Sequence, residues 1–356
     1  MKILFVVPRF HTNLSAAVDG LVAAGVEVSI VCCRSELIED HSRIEPLVIS
    51  REGASWIAIA RLLNDISPDM IVLRYSKGVS WKVFWLARLN NMPMLGYQQR
   101  PVNSPRGMLR LAYETVWQGL PIRRFSPVRG LKQNGLRDDR HARYIPLPVP
   151  QAAHDAERTV YIDGPLRIIC VAKITQPRKR HMLLLDAIEK LVEQHDCSLT
   201  LIGADTKTVS GFSKAKFEQF MDRVQSGPLN SRISLMVNVA PHDMAEHYLN
   251  HHVCVLPSDN EPLGTSPLEA MAFGTVPLTS TATGSAGTIA MAGDGMVFKA
   301  GDVDDLYARL AAFASDRQQL ETLGQQVREF SRNHLAPRRF AEDLLQLISD
   351  VKRGRR

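Results

Sequence analysis

Short apolar runs alternate with helical stretches twice over in this chain, and that alternation leaves few folds open. Lys2-Ile3-Leu4-Phe5-Val6-Val7 opens the first series and Arg167-Ile168-Ile169-Cys170-Val171-Ala172 opens the second. After the first run, Leu14, Ala17, Val18, Leu21 and Val22 form one helical stripe that Gly25 ends. Strands follow at Val26 to Cys32, Met70 to Leu73 and Met94 to Tyr97. The second half places strands near 167–172, 198–202, 233–238, 253–256 and 276–279, again with helices between them. Such a series builds a parallel sheet covered on both faces, an α/β fold. At 356 residues the chain is too long for one ordinary core and suits two domains. The boundary falls at Ile145-Pro146-Leu147-Pro148-Val149-Pro150, whose alternating prolines predict a stiff extended connector. We expect domains over 1–150 and 151–336.

Ligands of open parallel sheets bind beyond the carboxyl ends of strands. The strand Val253-Cys254-Val255-Leu256 is followed by Pro257-Ser258-Asp259-Asn260-Glu261-Pro262-Leu263-Gly264-Thr265-Ser266-Pro267-Leu268-Glu269, and a helix runs on to Gly274. Ser266 suits the N-cap, Pro267 the first helical position and Gly274 the C′ position. Glu269 then closes a capping box, a purely structural role, or faces a ligand. Glu261, on a loop between proline and glycine, is either a solvated carboxylate or a binding group. Free N–H groups at the helix start suit an anion between the two carboxylates.

This run resembles the E-x7-E motif of retaining glycosyltransferases with the GT-B fold, the glycosyl transferases group 1 (family 4-like). The likeness covers most of 165–330. Val171-Ala172-Lys173-Ile174, with Lys179-Arg180-His181-Met182-Leu183-Leu184-Leu185-Asp186-Ala187 after it, is similar to the family's phosphate-gripping strand, loop and helix. Leu199-Thr200-Leu201-Ile202-Gly203 is similar to the strand ending near the nucleotide base, and Gly293-Asp294-Gly295-Met296-Val297-Phe298 through Asp302 also fits. The resemblance implies two Rossmann-like parallel-sheet domains with a cleft between them. It implies a nucleotide-sugar donor on the second domain and an acceptor, a glycan or lipid-linked sugar, on the first. A last helix near 337–351, with Phe340, Leu344, Leu345, Leu347 and Ile348 on one face, would cross back onto the first domain.

Breaking the donor's anomeric C–O bond sends negative charge onto the diphosphate, which needs fixed cations and N–H donors. The resemblance gives that task to Lys173 and Lys179. Lys173 stands where relatives carry an arginine more often, which keeps the charge and loses the bidentate fork. Glu261 would hold the sugar hydroxyls and Glu269 the ribose. Leu263, Gly264, Thr265, Ser266 and Gly203 would line the donor site. Retention in this family is ascribed to attack on the face the phosphate leaves, so no protein nucleophile is named. No cofactor is expected.

The first domain is less explicit. Arg9-Phe10-His11-Thr12-Asn13 links the first strand to the first helix, so His11 could act as base toward an acceptor, and Asn13 is an acceptor contact or a helix cap. The glycine pair that relatives often carry in this loop is missing. Gln99 and Arg100 end the strand at Tyr97 where relatives often place a histidine. Between Arg100 and Arg143 arginines and lysines, Lys132 among them, far outnumber the acids Glu114, Asp138 and Asp139, with Leu109, Tyr113 and Trp117 interleaved. That region reads as a seat for anionic membrane lipid, a site for a polyanionic glycan, or a solvated basic face; the tail Lys352 to Arg356 fits each.

Other classes fit less well. No apolar run approaches the ~20 residues that span a bilayer, and the apolar start is too short for a signal peptide. Five cysteines without paired spacing suggest buried reduced thiols in a cytoplasmic chain, and the basic 100–143 region would give it a peripheral place on the inner membrane face. Asp302-Val303-Asp304 is formally a metal-binding D-x-D, but Asp302 suits a helix N-cap, and we expect no metal. His251-His252 reads as a surface pair. A nicotinamide-dependent dehydrogenase would need glycines after the first strand. A non-catalytic binding protein would need export. No aromatic–basic module suggests nucleic acid.

Overall fold

The structure is a computed structural model. It describes residues 1–34, 44–50, 53–76, 78–131, 137–156, 158, 163–204, 212–227 and 229–354, the side chains of Thr12, Asn13, Arg34 and His154 excepted. Lys132, Arg355 and Arg356 of the basic segments lie outside the described residues. The chain forms two compact units, Met1–Pro150 with His334–Arg356, and Gln151–Asn333.

In the first unit the described residues form seven parallel strands, β1 (Lys2–Arg9), β2 (Glu27–Arg34), β3 (Leu47–Val48), β4 (Met70–Leu73), β5 (Met94–Tyr97), β6 (Arg124–Ser126) and β7 (Ala142–Tyr144). They lie in the order β3-β2-β1-β4-β5-β6-β7. Ile3, Leu4, Phe5 and Val6 of β1 are fully buried, as a central strand covered on both faces requires. β3, β6 and β7 were not expected: β3 is only the pair Leu47–Val48, and β6 and β7 are three residues each with an arginine among them, so none makes an apolar run. What fixes β6 is tertiary: Phe125 stacks on Tyr97 at 5.0 Å.

The first helix, Thr12–Ala23, starts with His11 as its extended N-cap residue, which places Asn13 inside the first turn and not at the expected N-cap position. The last helix, Pro337–Lys352, packs on it. Gly20 allows this, since a Cβ there would stand 2.2 Å from the Pro337 carbonyl oxygen. Phe340 meets Phe125 edge-on at 6.2 Å, and Leu344, Leu347 and Ile348 are buried with it. The proline-rich stretch is no free connector. Ile145, Leu147 and Val149 are buried, and Val149 N donates to Leu335 O at 2.9 Å.

The second unit has, among the described residues, six parallel strands: β8 (Leu166–Val171), β9 (Cys197–Gly203), β10 (Ile233–Val237), β11 (Val253–Leu256), β12 (Val276–Ser280) and β13 (Val297–Phe298), in the order β10-β9-β8-β11-β12-β13. All five cysteines are free; Cys33 is half-buried and the others buried.

His251 and His252 are not a surface pair. Both are buried, and His252 is bonded into the start of the sheet: its N donates to Arg167 O at 2.8 Å and its Nδ1 accepts from Arg167 N at 2.9 Å. His251 Nδ1 donates to His247 O at 2.5 Å, so its Nε2 accepts from the Thr200 hydroxyl at 2.8 Å. Burial brings His251 down to about 4. The unfolded chain, with histidine near 6.5, therefore binds the proton first. Stability is full above that value and falls as pH drops from about 6.5 toward about 4, by roughly 3 kcal/mol from this group. His181, buried against Phe220 and also near 4, adds to the trend. Urea midpoints measured across this range should fall steadily, and His251→Gln should flatten the slope.

Candidate functional site

In the second unit the strand order reverses between β8 and β11, one side running on to β9 and β10, the other to β12 and β13. Loops leaving a parallel sheet at such a point diverge and open a crevice. The carboxyl ends of β8 and β11 carry Lys173, Lys179 and Glu261 on the loops that follow. The Ser266 hydroxyl donates to Val171 O at 2.9 Å, which stitches the start of helix Ser266–Ala272 to the end of β8.

That bond alters the expected cap. Thr265, not Ser266, is the N-cap residue, and Glu269 N donates to Thr265 O at 2.8 Å. Ser266 is spent on β8, so the capping box is not formed. Glu269 accepts instead from the Tyr248 hydroxyl at 3.0 Å, and Tyr248 is stacked on Phe273 at 5.5 Å. Burial raises the Glu269 carboxyl above its ordinary value, against the pull of the Tyr248 and Thr265 hydroxyls.

Glu261 is the centre of the site. Its backbone is held from both sides: Glu261 N donates to Ala282 O at 3.2 Å and Gly284 N to Glu261 O at 2.8 Å. Its carboxylate receives Lys179 Nζ and, at 2.8 Å, Arg178 Nη1. Arg178 Nη1 also donates to Asn260 O at 2.7 Å, Asp259 N donates to Arg178 O at 3.0 Å, and Arg180 pairs with Asp259. The turn Pro177–Lys179 is thus clamped onto the loop after β11. Burial pushes the Glu261 carboxyl up, but Lys179 and Arg178 outweigh it and hold the group below its usual range, ionised. Gly264, at φ +73°, lets the loop turn beside it; a Cβ there would meet the Thr283 methyl at 2.5 Å. Leu263 is buried, and Thr265 is half-buried. Gly203 ends β9 where a Cβ would lie 2.0 Å from Ala172 O.

Not every expected residue joins this cluster. Lys173 is half-buried two residues past β8, and its ammonium has no carboxylate partner among the described residues. Asp302 accepts from Asp305 N at 3.0 Å as a helix N-cap, and Asp304 pairs with Lys190 at 2.5 Å.

The first unit sets His11, half-buried, beyond β1. Beyond β5, Gln99 accepts from Arg74 Nη2 at 2.7 Å and donates to the Tyr97 hydroxyl at 3.2 Å. Arg74 also lies over the Tyr97 ring, 5.3 Å from its centroid. Arg100 donates to the Ser104 hydroxyl at 3.2 Å. The expected basic face is partly internal. Arg106 binds Asp139 at 2.5 Å and Glu114 at 3.1 Å, and Arg124 also pairs with Glu114 inside the unit. Those two cations are removed from any surface role, because burying them unpaired would cost too much.

Sequence reasoning missed Arg74, Arg178 and Tyr248. Arg74 is the residue directly after β4, a position the strand-end rule would have found. Arg178 was hidden in Arg178-Lys179-Arg180, where spacing alone cannot rank three cations. Tyr248 gave no signal.

Residues 156–330 match the family model described as glycosyl transferases group 1. Residues 156–330 of the chain belong to the glycosyl transferases group 1. The chain matches none of the curated proteins. Among solved structures it is similar to a sucrose-phosphate synthase from Thermosynechococcus elongatus, at 18% identity and TM-score 0.69 over 99% of this chain and 100% of that one. It is similar to a glycosyltransferase from Rickettsia africae at 12% and 0.74, over 99% of each chain. It is also similar to Anabaena HepE in complex with UDP and glucose, at 13% and 0.71, over 98% of this chain and 100% of that one. At these identities the likeness is one of fold. Two Rossmann-like units of parallel strands make the GT-B fold of this chain.

Proposed function

We propose that the chain is a retaining, metal-independent glycosyltransferase. It moves a sugar from a nucleotide-diphosphate sugar to a glycan or lipid-linked acceptor in the synthesis of cell-envelope polysaccharide or lipopolysaccharide. It works on the cytoplasmic side, resting on an anionic membrane face. The observation that carries the reading is the Glu261 carboxylate held against Lys179 and Arg178 at the strand-order reversal of a family-matched unit. The UDP and glucose named for the HepE structure fit such a donor.

In this reading the donor's diphosphate takes over Lys179 from Glu261, with Lys173 as the second cation. The freed carboxylate then accepts hydrogen bonds from the sugar hydroxyls and fixes the ring. As the anomeric bond breaks, charge grows on the phosphate beside those cations. The acceptor hydroxyl gives its one proton to the departing phosphate oxygen on the same face, and His11, the base of the acceptor side, assists by hydrogen-bonding to the acceptor. Glu269 receives the ribose hydroxyls. Gln99, Arg100 and Asn13 belong to the acceptor side. Asp302 and Asp304, engaged in a cap and an ion pair, support a reaction without a metal.

Proton NMR of the product tests the stereochemistry. The account expects the donor's anomeric configuration in the product, with turnover unchanged by a chelator. An inverted product, or a strict need for added manganese, would overturn it.

A further inference from the structure

The first unit carries an exposed apolar face that its own core does not use. Helix Met108–Val116 turns Glu114 inward and Met108, Leu109 and Tyr113 outward. Leu109 is 89% exposed, and Trp117, just past the helix, 72%. This reverses the usual amphipathic order, in which the acid faces water. The inversion is held by charge, since Arg106, Arg110 and Arg124 all reach Glu114. The face extends to a second helix. Trp81 Nε1 donates to Val116 O at 3.0 Å, and its ring meets Trp56 edge-on at 5.5 Å. Trp56 and Ile57, both exposed, open helix Trp56–Ile66.

Arginines flank this face. Arg110 extends from the helix itself, and Ile122, exposed, leads into a groove lined by Arg123, Arg140 and Arg143. The groove's acids are engaged: Asp138 lies 3.8 Å from Arg129, and Asp350 3.4 Å from Arg143. Arg123 and Arg140 have no carboxylate partner among the described residues, and Arg140 Nε donates to His141.

We propose that this face docks the chain in the plane of an anionic lipid bilayer. Leu109, Tyr113, Trp117 and Ile57 enter the acyl boundary, while Arg110, Arg123 and Arg140 meet the headgroups. Charge complementarity favours lipid over a second copy of the chain. From Met108 to Arg124 the one acid is Glu114, and it points inward, so two such faces would set arginine against arginine. Among the described residues no helix is long and apolar enough to cross a membrane, which fits a surface seat. The inference deepens the reading of a membrane-bound acceptor and rests on it only for the purpose of docking.

The test is sedimentation of the full chain with vesicles of phosphatidylcholine alone and of phosphatidylcholine mixed equally with phosphatidylglycerol. Binding is expected to the mixed vesicles and far less to the neutral ones. Leu109→Glu with Trp117→Glu should weaken it at least about tenfold. Arg123→Glu with Arg140→Glu should weaken it about fivefold or more for each cation lost. Circular dichroism and nucleoside diphosphate binding should stay unchanged in both variants, because these side chains pack in no core. Absence of wild-type binding to mixed vesicles, or binding unaltered by the Leu109/Trp117 change, would overturn the proposal. So would a dimer broken by that change with no vesicle uptake. Vesicle binding without sugar transfer would leave the docking face standing and remove the catalytic reading.

Discussion

Glu261→Gln is expected to lower sugar transfer by about a hundredfold or more, with nucleoside diphosphate binding still measurable. The amide keeps the shape but loses the charge that sets sugar hydroxyls for attack, and removing a group of this kind commonly costs about 3–4 kcal/mol in the transition state. The Glu261 side chain is only 11% exposed, so water cannot stand in for it. The same change leaves Lys179, equally enclosed, without its carboxylate, and breaking a buried pair from one side costs about 3–5 kcal/mol of stability. Transfer must therefore be measured below the melting temperature of the variant, with folding followed separately. The pair also sets an acid limit. Glu261 has a depressed folded pKa, so its stabilisation is present above the unfolded value of 4.5 and is lost as pH falls through the lower folded one. That loss begins where the His251 and His181 effects near completion.

Lys179→Met is expected to weaken nucleoside diphosphate binding by about a hundredfold and to destabilise the fold on a similar scale to Glu261→Gln. The cation is asked to hold the charge that grows on the diphosphate, and charge-assisted contacts of this kind are the strong ones. Titration calorimetry reads the first effect and urea unfolding the second. Because both residues share one contact, the double variant should be clearly more stable than the sum of the single losses predicts. Additive losses would show that Lys179 and Glu261 are not partners in solution.

Much of the architecture was legible because buried parallel strands announce themselves as apolar runs. β1, β2, β4, β5 and β8 to β12 all lie where such runs fall. β6 hid because Arg124 sits in it, a buried cation whose partner Glu114 is ten residues away and on another element. The site was legible in Glu261 and its glycine turn, since a loop carboxylate after a buried strand has little structural reason to be there. The cap was misread. Ser266 has the right chemistry for an N-cap, but tertiary contact with Val171 outcompetes the local bond. His251 misled in the same way: a polar pair before a strand looks solvated until Thr200 is brought beneath it by the sheet.

The most direct test of the whole account is a thermal-shift panel of nucleoside diphosphates and their monophosphates on the wild-type chain. One diphosphate is expected to stabilise it by about 2.7 kcal/mol when present at ~100 times its Kd. Its monophosphate should do markedly less, and Lys179→Met should abolish the difference. No stabilisation by any nucleoside diphosphate, or an equal response to the matching monophosphate, would contradict a diphosphate-gripping site at Glu261 and Lys179.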